Sequence, residues 1–225
     1  MPAELTMRMY TSTGSSYFEG MYFGNSAALK TALQPLLNAT GLSISSSTQT
    51  DFLSAFKHYS YTSNTDITTD PSQETFYSKS LMLKGLNASY LRQELRQLLV
   101  QYRPNQLSWL VAPLDIHGGN NSAVTNGDHS LSSYAHRDKL FMIQFYDRIY
   151  SGSCPSTGFS FLNNWVNVTV ALLAASDWGI YINYADSQLD RSTATQEYYE
   201  SNLARLQTLK ATCDPAHLFY YPQSI

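Results

Sequence analysis

Two periods of hydrophobicity alternate along this chain. In "AELTMRMYT", Leu5, Met7 and Met9 alternate with Glu4, Thr6 and Arg8, the period-two pattern of a strand with one buried face. "SYFEGMYFG" follows after a turn at Gly14, so the first two segments read as a hairpin. From Asn25 the period changes. Leu29, Leu33, Leu36 and Leu37 fall on one helical face, with Asn25 or Ser26 as N-cap and Gly41 beyond the end. "DFLSAFKHYSY" reads as a second short helix, and the Ser/Thr/Asp-rich "TSNTDITTDPSQE" as a surface loop.

"TFYSKSLMLK" returns to the strand pattern. Asn87 or Ser89 then caps "YLRQELRQLLVQY", whose Leu91, Leu95, Leu98, Leu99 and Tyr102 form an apolar stripe that Pro104 ends. "LSWLVAPLDIHGG" and "DKLFMIQFYDRIY" are two apolar runs separated by a Gly/Asn/Ser loop and read as paired strands. "GFSFLNNWVNVTVALLA" is a helix. "WGIYINYADSQLD", from Trp178 to Asp190, reads as a strand with Tyr181 and Asn183 on one face and Ile182 and Tyr184 on the other. A final helix runs from about Thr195 to Thr212. Strands beside strands, with helices between the pairs, predict an α+β fold: an antiparallel β-sheet covered by helices on one side.

Composition narrows the function. The 225 residues suffice to bury a core, roughly 70% of the extended-chain surface for a compact fold of this size. With 14% charged residues and a net charge of −3, the chain has no basic field for nucleic acid. No run of about 18 apolar residues is present to span a membrane. Cys154 and Cys213 are too few for a disulfide scaffold and leave both one disulfide and two free thiols open. Sequons at Asn38, Asn87, Asn120 and Asn167 point towards secretion, whereas "MPAELTMRMY" has neither the positive nor the apolar region of a signal peptide.

Three polar clusters carry the candidate chemistry: "LDIHGGNNSAV" around Asp115, "AHRDKLFMIQFYD" around Gln144, and the stretch around Tyr184. A tyrosine, with a free pKa of about 10, acts as a general base only if its proton is relayed or its ionisation is made easier. Asp115 could accept a hydrogen bond from such a tyrosine. A carboxylate alone would raise the phenol's pKa, so a cationic or electron-poor partner is also needed. Each residue has a plainer reading as well: tyrosines pack in aromatic-rich strands, and an aspartate before Gly-Gly serves a turn. His117 and His129 lack partners in metal-ligand spacing. "HGGNN" lacks the Gly-x-x-x-x-Gly-Lys pattern of a phosphate loop, and no Gly-x-Ser-x-Gly elbow or cysteine nucleophile motif is present.

In this order the clusters resemble the C-terminal half of the berberine-bridge-enzyme-like FAD-linked oxidases, most closely their fungal gluco-oligosaccharide oxidase branch. "YINYADSQLD" followed by "YYESNLARLQTLKATCDPAHLFYYPQSI" is similar to the family's terminal segment, and "HGGNNSAV" with "AHRDKLFMIQFYD" to its Gly-Gly stretch and His-Arg strand. The resemblance implies a substrate-binding α+β domain at 1–177 and a berberine-bridge-like segment at 178–225 that would pack on an FAD-binding domain preceding Met1. That domain and its signal peptide are expected to be missing here, which would reconcile the sequons with the N-terminus.

The implied activity is oxidation of a substrate alcohol by FAD, with O2 reduced to hydrogen peroxide. The implied substrate is an oligosaccharide, oxidised at C1 of its reducing end. Carried over to this chain, Tyr184 is the base, with Tyr181 as the alternative, and Asp115 is its hydrogen-bond partner. Gln144 binds and orients the substrate, and Asn183 and Tyr181 lie near the flavin. Trp109 and Tyr146 are rings for sugar stacking or for the core. A non-catalytic carbohydrate-binding remnant and a subunit requiring a separate flavin partner are the competing readings.

Overall fold

The computed structural model describes residues 2–11, 16–60, 75–86, 109–111, 113–149, 152–153 and 156–225, with 109–111 and 148–149 described by their backbone alone. The expected helix at 90–102, the loop at 62–74 and Cys154 lie outside the described residues.

Strand β1 (Leu5–Thr11) and strand β2 (Ser16–Tyr22) form the expected hairpin, with Leu5 opposite Tyr22 and Thr11 opposite Ser16. The sheet is completed by β3 (Thr75–Leu83), β4 (Trp109–Val111), β5 (Leu114–Ile116), β6 (Phe141–Ile149) and β7 (Trp178–Gly179). Its order is β2-β1-β5-β6-β3-β7, with β4 also paired to β6, and every pairing is antiparallel. "LSWLVAPLDI" yields two strands rather than one. Pro113 has no N–H for the ladder, and only its carbonyl takes part, accepting from Gln144 N at 3.1 Å.

Helix α1 (Ser26–Thr40) begins where Asn25 accepts a hydrogen bond from Ala28 N and ends at Gly41 with φ 70°. Helix α2 (Phe52–Tyr59) and a single turn, α3 (Ala123–Asn126), follow. Helix α4 (Ser156–Val170) covers one face of the sheet, where its Leu162, Trp165 and Val166 pack on Tyr77, Leu81, Leu83, Ile143 and Phe145. Phe145 and Trp165 meet edge-on at 4.7 Å. Burial of each such large apolar side chain stabilises the fold by about 1.5–3 kcal/mol.

The C-terminal part departs from expectation twice. The predicted strand through Tyr184 stops at Gly179, and Ile182–Tyr184 forms a 3-10 turn. The reason lies in Ser80, whose hydroxyl oxygen accepts from Tyr181 N at 2.9 Å and lies 3.3 Å from Tyr181 O. A side chain thereby takes the backbone groups that a continuing ladder would have used, and Tyr184 N turns back to Tyr181 O at 3.0 Å. The single final helix is two, α5 (Arg191–Tyr199) and α6 (Leu203–Cys213), separated at Glu200, whose φ is 44°. No helix among the described residues is long and apolar enough to cross a membrane.

Candidate functional site

Alternation along the strands sorts residues between the faces. Ile143 and Phe145 point into the core under α4, so Met142, Gln144 and Tyr146 project from the opposite, open face. Residues directly paired across strands share a face. Gln144 pairs with Ser80, Met142 with Asp115, and Asp115 with Arg8, so the sheet face opposite α4 collects all five, with Ser80 itself buried. Tyr146 lies there beside Phe76, their rings 5.3 Å apart. Trp109 is placed by its backbone in β4, opposite Arg148, and its side chain lies outside the described residues.

The 3-10 turn delivers the two tyrosines. Residues three apart nearly eclipse in such a turn. Tyr181 and Tyr184 therefore meet edge-on at 5.4 Å on the same side, not on opposite faces as a strand would have placed them. Asn183 is exposed at the turn's edge and donates from Nδ2 to the Tyr181 hydroxyl at 2.7 Å.

The electrostatics of this surface centre on Asp115. Burial pushes its carboxyl up from the usual range, against the pull of the Arg8 guanidinium, while Glu19 adds to the rise. Burial also pushes the Tyr184 phenol up, reinforced by the charges of Asp115 and Tyr181 and opposed by Arg8. Tyr184 thus senses the charge of Asp115, although no hydrogen bond joins them among the described residues.

Arg8 is the cation that the sequence reading required and did not identify. It pairs with Glu19, lies 4.5 Å above the Tyr59 ring and donates to Tyr59 O at 3.3 Å. Its place on the polar side of the alternating first strand was the available signal; its register against Asp115 was not.

Tyr134 borders the same surface. Its hydroxyl is 2.6 Å from His117 Nε2, and its ring is edge-on to Tyr181 at 5.9 Å. The "HGG" segment that follows Asp115 is a backbone corner: a Cβ on Gly118 would lie 2.0 Å from Lys139 O, so only glycine permits this approach. A separate cleft of about 670 Å³ opens between α5, α6 and the tail, and its lining, including Arg191, Gln196, Lys210 and His217, contains none of the predicted site residues.

Residues 180–225, which hold both tyrosines, match the family of berberine and berberine-like proteins. Over its full length the chain is 42% identical to the xylooligosaccharide oxidase of Thermothelomyces thermophilus, covering 46% of that protein. This chain is a relative of the FAD-linked oligosaccharide oxidases. It is also 40% identical over its full length to the carbohydrate oxidase of Microdochium nivale, again covering 46% of that protein.

The fold agrees. A xylooligosaccharide oxidase from Myceliophthora thermophila in complex with xylobiose superposes with a TM-score of 0.91 at 40% identity, over 100% of this chain and 48% of that one. The glucooligosaccharide oxidase of Acremonium strictum, which carries a 6-S-cysteinyl, 8α-N1-histidyl FAD, superposes with a TM-score of 0.90 at 33% identity, over 100% and 49%. The chain spans about half the length of the curated relatives it matches.

Proposed function

We propose that this chain is the substrate-binding half of an FAD-dependent oxidase that acts on the C1 hydroxyl at the reducing end of an oligosaccharide, with Tyr184 as the base. The observation that carries this reading is the convergence of Tyr184, Asp115 and Gln144 on one open sheet face. Its support is full-length similarity to oxidases of xylo- and gluco-oligosaccharides.

The residues present fit a flavin at the turn. The Tyr181 and Tyr184 rings are half-buried, and the Asn183 amide is exposed beside them, which gives a flat aromatic ring both a stacking surface and a hydrogen-bond partner. FAD bound there would supply the acceptor for the C1 hydride and the route by which O2 is reduced to hydrogen peroxide. Tyr184 takes the hydroxyl proton, and Asp115, whose charge reaches the phenol and whose proton affinity is raised, is the acceptor for the phenol's own proton once the two hydrogen-bond in the substrate complex. Arg8 limits the charge that accumulates there. Gln144 orients the sugar hydroxyls from mid-strand, and Tyr146 with Trp109 supplies rings for sugar stacking. The product is a lactone, which opens to the aldonic acid.

In this reading residues 1–177 form the substrate domain and 178–225 the segment that docks against the flavin half. The sequons at Asn38, Asn120 and Asn167 are all exposed, which suits glycosylation of a secreted protein. The test is peroxide release with xylobiose, cellobiose and maltose by the chain produced together with its flavin half. Tyr184→Phe should lower kcat by roughly 10²–10⁴-fold with the flavin absorbance retained, and Tyr181→Phe by less. Full turnover in Tyr184→Phe would move the base elsewhere, with Tyr181 the first alternative. Sugar affinity without flavin or peroxide would leave a carbohydrate-binding module instead.

A further inference from the structure

Behind the tyrosine turn lies a histidine that the proposed chemistry does not use. His136 is 1% exposed, with Nε2 2.7 Å from Ile180 O and Nδ1 3.2 Å from Glu200 Oε1. Both neighbours are acceptors. The shorter contact to the Ile180 carbonyl favours the proton on Nε2, and Nδ1 can then donate to Glu200 only by gaining a second proton. The ring lies hard against the backbone: a Cβ on Gly179 would fall 2.4 Å from its Cε1 and Nδ1. Glu200 is held at φ 44° in the break between α5 and α6, a conformation that side-chain-bearing residues seldom adopt.

We infer that His136 and Glu200 are a positioning pair for the Tyr181–Tyr184 turn. The turn hangs from two anchors, Ser80 on the Tyr181 backbone and His136 on the Ile180 carbonyl. Glu200 links the second anchor to the helix break and so to the C-terminal segment. This rests on the reading of Tyr184 and Tyr181 as the reactive groups. Burial lowers the proton affinity of the imidazole, and Lys139 adds to the effect; Glu200, the Ile180 carbonyl and Asp138 raise it. The Tyr134 ring edge, 5.8 Å away, and His117 complete the surroundings.

The test compares His136→Phe, which keeps a ring and loses the N–H, with His136→Gln, which retains an N–H donor, and with Glu200→Gln, a half-exposed change that leaves the core intact. Histidine and tyrosine ring resonances are recorded by NMR across pH on the chain, and kcat and KM are measured in the oxidase assembled with its flavin half. Glu200→Gln should lower the His136 midpoint by about one unit, a ten-fold loss in proton affinity. His136→Phe should shift the Tyr181 and Tyr184 resonances and lower kcat on the order of 10–100-fold with little change in KM, while His136→Gln restores both. An unmoved midpoint in Glu200→Gln, or equal behaviour of the Phe and Gln variants, would overturn the pairing. Failure of the oxidase reading shows separately, as a wild type without peroxide output, and the resonances still judge the pair.

Discussion

Two sets, each of a tyrosine, an aspartate and a basic residue, occupy opposite faces of one sheet. Under α4, Asp186 is 1% exposed and accepts from the Tyr77 hydroxyl at 2.8 Å, from Gln188 N at 2.9 Å and from Lys79, which also donates to Asn163 at 2.8 Å. On the open face, Tyr184, Asp115 and Arg8 interact through charge, and burial leaves the carboxyl with a raised proton affinity. The chemical groups are nearly the same and their settings differ. The first set is closed by hydrogen bonds and tied through Tyr198 and Gln223 to the tail, so it holds the C-terminal segment on the sheet. The second is coupled through charge, with Asp115 and Tyr184 both pushed up by burial and Arg8 opposing the rise, the condition under which protons can move.

The comparison breaks most readily at Asp186. Replacement by alanine leaves the Lys79 ammonium buried without its counter-charge and should cost about 3–5 kcal/mol in denaturant unfolding of the chain. Tyr77→Phe removes one hydroxyl between Asp186 and Asn163 and should cost about 1.5–3 kcal/mol, the range for a hydrogen bond to a charged group. Tyr184→Phe, the same chemical change on the other face, should move the unfolding free energy by less than about 0.5 kcal/mol. Equal losses in the two phenylalanine variants would mean that both sets are structural.

Much of this arrangement was legible in the sequence because it rests on local periodicity. The hairpin, β3, β6, α1, α2 and α4 follow from period-two and helical spacing, and Asp115 and Gln144 were recognised on strands that do meet in the sheet. What escaped depends on contacts remote in sequence. Nothing within "YINYADS" shows that Ser80, about a hundred residues earlier, would capture the Tyr181 backbone and convert a strand into a turn that gathers both tyrosines. Arg8 and Asp115 are likewise joined only by pairing of β1 with β5. The split of the last helix turns on one backbone conformation at Glu200, in a stretch whose residues all permit helix.

The finest distinction between the faces lies in Asp115→Asn. The folded chain holds the Asp115 proton more tightly than the unfolded chain does. Its contribution to stability is therefore complete below the ordinary carboxylate pKa and is lost as pH rises through the raised folded value. In Asp115→Asn that falling slope should vanish, seen as a smaller drop in unfolding free energy from acid to neutral pH. At alkaline pH the same variant should lower the Tyr184 ionisation midpoint, because it removes a charge that holds the phenol protonated, whereas Arg8→Gln should raise it, each by up to about one unit. Ultraviolet difference titration against Tyr184→Phe isolates that one phenol among 17 tyrosines. Opposite shifts with unfolding otherwise unchanged would assign the open-face set to proton handling. A loss of stability as large as that of Asp186→Ala would instead make Asp115 a second structural anchor and erase the difference between the faces.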